Sequence, residues 1–270
     1  MQTVLAGAAL IALTASAARA QIDYRNLDDD RPTRVEDAYP VERHAFELLI
    51  PYSVEREHGG ATLHASVLEL EYGVLRNGQL GLKAPFGAVR DVGATKTGLS
   101  GLRVFGLYNV NTESRLLPAL SLRADVGFPV GALAGSETQV AVKAIVTRSW
   151  GRSRVHLNAA YRFGADGTPP AVEALDRWWY GVAADRTLFR HSLLIVGETY
   201  AGRLTAGAPV EVNASLGLRW QWRTTTVLDV GIARRLRRAV GPDFALTVGI
   251  SNAFALAGLM PGGQRGRRDG

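Results

Sequence analysis

The sequence predicts an all-β chain, an antiparallel transmembrane β-barrel of the outer-membrane type, with twelve strands inside a range of ten to fourteen. Apolar and polar residues alternate with period two through about a dozen segments. The connections between these segments are alternately short and long, as in outer-membrane barrels. Beyond residue 20 no apolar run reaches the length of a membrane helix, so any crossing must be made by strands.

The alternation is clearest where Val210, Val212, Ala214, Leu216, Leu218, Trp220 and Trp222 interleave with Glu211, Asn213, Ser215, Gly217, Arg219 and Gln221. It recurs at Val155, Leu157, Ala159, Tyr161 and Phe163, and again at Leu120, Leu122, Ala124, Val126 and Phe128. The pattern predicts strands near 44–54, 62–75, 79–86, 99–109, 117–129 and 138–150, then near 154–163, 177–187, 193–202, 209–222, 227–235 and 243–254. Tight turns are expected at Arg76-Asn77-Gly78, Asn111 to Ser114, Gly151 to Ser153, Phe189 to Ser192 and Arg223 to Thr226. Longer loops are expected at Gly87 to Gly98, Val130 to Glu137, Gly164 to Asp176, Arg203 to Ala208 and Leu236 to Pro242. The first hairpin, Glu57 to Ala61, is short where a long loop is due.

Alternation alone also fits a soluble sandwich with its apolar face inward. Aromatics near strand ends decide for the membrane. Tyr52, Phe86, Phe128, Trp150, Phe163, Trp178, Tyr180, Trp220 and Trp222 stand where amphipathic rings favour the bilayer interface, and the last strand ends on Phe254.

Outside the barrel, 43–254, three further parts are expected. Residues 1–20 read as a signal peptide, with an apolar core from Val4 to Leu13 and Ala18-Arg19-Ala20 before Gln21, although Met1-Gln2-Thr3 brings no Lys or Arg. Residues 21–42 are acidic, contain proline and lack periodicity, which predicts a periplasmic N-terminal segment and leaves open whether the lumen is plugged by Ile22 to Glu42 or by a loop. Residues 255–270 form a basic, Gly-rich C-terminal tail.

With the apolar faces toward lipid, the alternate residues line the lumen: Glu69, Glu71, Lys83, Arg103, Arg123, Asp125, Lys143, His156, Asn158, Arg162, Arg177, Asp185, Glu198, Glu211, Asn213, Arg219 and Asp229. They either fill a narrow barrel with ion pairs or form a constriction that selects solutes. Glycines 73, 81, 106, 127, 181, 217, 231 and 249 are expected on the same inner face, easing curvature or leaving room. Arg234, Arg235, Arg237 and Arg238 form an external basic loop suited to lipopolysaccharide phosphates or to plain solvation.

The 270 residues include no cysteine, which excludes disulfides and thiolate chemistry. The histidines, His44, His58, His64, His156 and His191, sit in no local hydrolase motif, and no His/Asp/Glu spacing marks a metal site. No catalytic residue, cofactor or metal is expected, and no nucleic acid.

Several segments resemble a family of outer-membrane proteins named after the meta-cleavage pathway of phenol degradation. They are Leu68-Glu69-Leu70-Glu71-Tyr72-Gly73-Val74, Gly101-Leu102-Arg103-Val104-Phe105-Gly106-Leu107-Tyr108, Pro118-Ala119-Leu120-Ser121-Leu122-Arg123, Val196-Gly197-Glu198-Thr199-Tyr200 and Asp229-Val230-Gly231-Ile232. Arg31-Pro32-Thr33 and Val41 to Leu48 are also similar, though Arg43 to Ala45 lacks the family's glycine. The resemblance implies passage of small aromatic or hydrophobic compounds across the outer membrane.

The expected function is therefore an outer-membrane channel or transporter, letting a small molecule diffuse through a narrow lumen of mixed charge. The alternatives are a barrel enzyme and a non-conducting structural or adhesive barrel. The expected partners are outer-membrane lipid and lipopolysaccharide, the barrel-assembly machinery during biogenesis, and the solute.

Overall fold

The computed structural model describes residues 17–18, 22–57, 60–91, 94–188, 192–237 and 242–260. Its strands are β1 (Ala17–Ala18), β2 (Ala45–Glu57), β3 (Thr62–Leu75), β4 (Gly78–Asp91), β5 (Ala94–Leu99), β6 (Leu102–Asn111), β7 (Ala119–Phe128), β8 (Gln139–Trp150), β9 (Ser153–Phe163), β10 (Trp178–Thr187), β11 (Leu193–Arg203), β12 (Glu211–Arg223), β13 (Thr226–Arg235) and β14 (Pro242–Leu256). Each wall strand pairs antiparallel with the next, and β14 pairs with β2 from Pro242↔Glu57 to Ala255↔Ala45, which closes a twelve-stranded barrel. β1 pairs with the end of β14, and β5 pairs only with β4.

Closure follows from the pattern. A barrel has no free sheet edge, so every backbone group facing lipid has a partner in a neighbouring strand. The outer face then carries the apolar half of each alternation, with Leu68, Leu82, Val104, Leu122, Leu157, Val182, Leu218 and Val248 all about half exposed. Phe254, Phe46 and Tyr72 lie in one row across β14, β2 and β3, and their stacked rings cover the seam where the barrel closes.

The connections fall at two ends. At the end holding the start of β2 and the finish of β14, the connections are 76–77, 112–118, 151–152, 188–192 and 224–225. The opposite, loop end carries 129–138, 164–177, 204–210 and 236–241. Two expectations change. The stretch Gly87 to Gly98 is not an open loop: β4 continues to Asp91 and returns as β5, whose exposed residues stand beyond the wall. The turn at Asn111 to Ser114 is wider, 112–118, because Arg148 gathers the carbonyls of Ser114, Arg115 and Leu117.

The segment 22–42 is expected as a periplasmic lead-in, with its plugging of the lumen left open. It runs inside the barrel. Ile22 enters beside the β12–β13 turn, its N–H on Thr224 and its carbonyl on Gln221. The chain rises to Pro32, which lies against β12 and β13 at Gly217 and Gly231. It then descends past Gly181 and leaves across Gly73 into β2. An added Cβ at Gly73 would sit 2.0 Å from the Glu42 carbonyl, and one at Gly231 would sit 2.2 Å from that of Pro32. These inner-face glycines therefore accommodate the plug, where curvature was the simpler expectation. Gly106 departs differently, because Phe105 and Leu107 are the buried residues there and Gly106 faces outward.

Gly231→Leu should drive the plug from its seat while leaving the barrel intact. Protease added to the detergent-solubilised variant should cut within 22–42, with the gel shift between unheated and boiled barrel retained. An uncut segment in that variant would contradict the steric role assigned to Gly231.

Candidate functional site: the plugged lumen

The strand register sets like charges against each other inside the barrel. Arg123 of β7 and Lys143 of β8 are direct cross-strand partners, and so are Lys83 of β4 and Arg103 of β6. Opposed like charges are unfavourable, more so in a confined interior. Acids from outside the wall relieve both pairs. Asp29 of the plug lies 2.6 Å from Lys143, 3.3 Å from Lys83 and 3.5 Å from Arg123. Glu36 lies 2.7 Å from Arg123 and 3.5 Å from Lys143. From above, loop 164–177 inserts Glu173 between Lys83 at 3.8 Å and Arg103 at 3.4 Å. Asp125 and the ring of Phe105 complete the Arg123 site.

A second cluster lies across the lumen. Arg31 pairs with Asp28 at 2.7 Å and donates to Ser251, while Arg219 of β12 pairs with Asp229 at 2.8 Å and with Asp28 at 3.2 Å. Arg31 and Arg219 are fully buried. Nearer the terminus end, Arg154 joins Asp37 of the plug to Asp185.

The wall also serves the plug's backbone. An irregular segment without sheet partners must find an acceptor for each buried N–H. Glu198 accepts from Arg34 and Val35, Asn158 from Glu36, Thr147 from Ala38 and Gln79 from Val41. Asn109 and Ser121 donate to the Ala38 carbonyl. These partners belong to β11, β9, β8, β7, β6 and β4, so the descending plug tracks round the inner wall strand by strand.

Thr147, His156 and Asp185 form a hydroxyl–imidazole–carboxylate row, with contacts of 3.0 and 2.9 Å. All three are buried and Thr147 already accepts the Ala38 N–H, so the row holds the plug.

Two cavities of several hundred Å³ lie among the described residues. The upper, about 340 Å³, opens toward the loop end between β2, β3 and β11 to β14, with Pro32, Thr33 and Arg34 as its floor. The lower, about 320 Å³, lies at the terminus end between the plug, Glu47 and Ala253. At the upper rim Asp166 accepts the Ala206 N–H and pairs with Arg162, which together hold its carboxyl below the usual range.

Of the expected lumen residues, Glu69, Glu71, Lys83, Arg103, Arg123, Asp125, Lys143, His156, Asn158, Arg162, Asp185, Glu198, Asn213, Arg219 and Asp229 are buried in the interior. Glu211 is half-buried at the upper cavity. Arg177 is a correction: it precedes β10 and its guanidinium turns outward over the exposed ring of Tyr161. In the basic loop, Arg234 and Arg237 are exposed and Arg235 pairs with Asp243, while Arg238 lies outside the described residues. The plug acids and the wall groups Arg154, Gln79, Asn109 and Thr147 were not singled out from the sequence. The signal was the triplet Asp28-Asp29-Asp30 preceding inner-face cations of which Lys143 and Arg103 form no ion pair with a wall acid among the described residues.

No family model matches the chain, and no curated protein matches it. Among solved structures it is similar to an outer membrane channel from Pseudomonas putida F1, at TM-score 0.59 and 16% identity over 81% of this chain and 98% of that one. It is also similar to the KdgM porin in complex with disordered oligogalacturonate, at TM-score 0.54 and 13% identity over 76% of this chain and 99% of that one. The fold is that of porin-like outer-membrane barrels, and the chain is a protein of the cell outer membrane.

Arg219→Ala would leave Asp229 and Asp28 sharing only Arg31 in a buried site, which should cost roughly 3–5 kcal/mol. The temperature at which the folded gel band converts to the unfolded one should fall clearly. An unchanged conversion temperature would show that this cluster does not support the fold.

Proposed function

We propose that the chain is an outer-membrane channel for a small molecule and that passage requires the plug to shift. The observation that carries this reading is the pair of separate cavities, one on each side of a segment that belongs to no strand of the wall. A barrel serving only as a scaffold has no use for two chambers of solute size. The plug is held by side chains, whose contacts can exchange one at a time, while a wall strand is held by a continuous ladder.

The expectation of free diffusion through a narrow lumen is thereby refined to gated passage. The upper cavity also has an apolar side, from Leu63, Ala65, Val67 and Val172, which supports a solute with an apolar body. That agrees with the small aromatic or hydrophobic compounds implied by the family resemblance. The buried Thr147–His156–Asp185 row gives no support to a barrel enzyme, since its hydroxyl is occupied by the plug.

The chain has no cysteine, so a single engineered pair can lock the plug. A Cβ at Gly181 would lie 2.8 Å from a methyl of Val35, and Val35→Cys with Gly181→Cys places two thiols within bridging reach. In planar bilayers or swelling liposomes the reduced double variant should pass ions and small solutes and the oxidised one should not. Equal passage in both states would overturn the gated reading, and no passage by wild type or reduced variant would overturn the channel reading.

A further inference from the structure

We infer that the solute carries a positive charge, an ammonium or amidinium group on an apolar body, and that carboxylates on both sides of the plug receive it. This deepens the proposed channel and rests on that reading. Although the whole chain has a net charge of +6, the two chambers are acidic.

In the middle of the barrel, cations and acids are matched, as described for Asp29, Glu36 and Glu173. Outside that layer and the clusters around Arg31, Arg219 and Arg154, several acids of the two chambers face no cation in an ion pair among the described residues. Around the upper cavity, Glu198 accepts only neutral donors: the N–H groups of Arg34 and Val35 and the hydroxyl of Ser215. Glu211 faces the amide of Asn213 and makes no ion pair among the described residues. The one cation of the floor, Arg34, is engaged by Asp176 at 2.9 Å and Asp30 at 4.0 Å. Beside it the Thr33 hydroxyl, 3% exposed, has no hydrogen-bond partner.

The lower chamber repeats the imbalance. Glu47 lines it and stands directly opposite Glu71 across β2 and β3. Asp28, already paired with Arg31 and Arg219, brings a carboxylate oxygen within 4.8 Å of those of Glu47 and Glu71. Glu47 and Glu71 are 3% and 2% exposed, make no ion pair among the described residues, and each keeps one oxygen without a hydrogen bond. Like carboxylates opposed in a buried row are unfavourable unless a cation joins them.

Unmatched acids in a confined, weakly polarisable space concentrate cations and exclude anions. A solute entering from the loop end would set its apolar body against Leu63 and Val67, with its charge toward Glu198, Glu211 and the Thr33 hydroxyl. After the plug shifts, Glu47 and Glu71 would receive the charge below. Arg234 borders the upper cavity at its outer rim and Arg237 is exposed, so against them the upper cavity's lining still sets Glu198, Glu211, Asp30 and Asp176.

The test uses the full barrel in detergent, titrated by calorimetry with benzyltrimethylammonium and, as a matched anion, benzenesulfonate. The ammonium should bind and the sulfonate should not. Glu211→Gln, at a half-buried position that spares the plug's hydrogen bonds, should weaken ammonium binding about fivefold, the loss of one nearby charge. In bilayers under a potassium chloride gradient, the reversal potential should lie toward that of potassium, and Glu47→Gln should move it toward zero. Equal binding of both probes, an unchanged affinity in Glu211→Gln, or an anion-directed reversal potential would overturn the inference. A barrel that binds the ammonium yet conducts nothing would leave the charge preference standing and remove the channel reading.

Discussion

A chain segment that enters a barrel interior leaves the solvent that would have hydrated its peptide groups and charges. Everything inside this molecule follows from meeting that requirement. Asp29 is the centre of the solution: one carboxylate lies among Lys143, Lys83 and Arg123, from three different strands. Without it, the cross-strand neighbours Arg123 and Lys143 would keep only Glu36 between them and Asp125 beside Arg123, two like charges in a confined space with less to join them. Without them, Asp29 would be a buried charge with no counterpart, a far larger cost. Each side makes the other tolerable, so wall and plug are one electrostatic unit.

That reciprocity explains why the plug is irregular and yet well held. Its backbone borrows acceptors from wall side chains, Glu198, Asn158, Thr147 and Gln79 in turn, and glycines give it space where side chains would collide. Loop 164–177 applies the same device from the other end, with Glu173 set between Lys83 and Arg103. Such contacts are made side chain by side chain, which separates the plug from the continuous strand ladders around it. The ladder holds the wall permanently; the plug is held by contacts that a shift can exchange.

The wall was legible in the sequence because its logic is local. A period-two alternation names the face of each residue, and aromatic strand ends with distinct connections decide between lipid and core. The lumen set followed from the same parity, and nearly all of it is interior. Arg177 broke the parity because a residue before the first strand pair is free to turn outward onto Tyr161. The plug was not decidable from the sequence, because nothing in 22–42 is periodic. Its evidence was an imbalance: Arg123 and Lys143 fall opposite each other once the register is known. Register comes from the assembled sheet, so the need for an inserted acid appears only after folding. Inner glycines carry a similar sign that curvature explains equally well from sequence alone, because a missing side chain does not say what fills the space.

The central claim is that residues 22–42 occupy the barrel interior in one defined position. Spin labels on cysteines replacing Asp30, beside the upper cavity, and Leu116, exposed on the turn at the opposite end, report that position directly. Pulsed electron resonance on the barrel in bilayers should give a single narrow distance distribution, unchanged by protease added to the medium. A broad distribution of the kind given by a tethered chain outside the barrel would contradict the account.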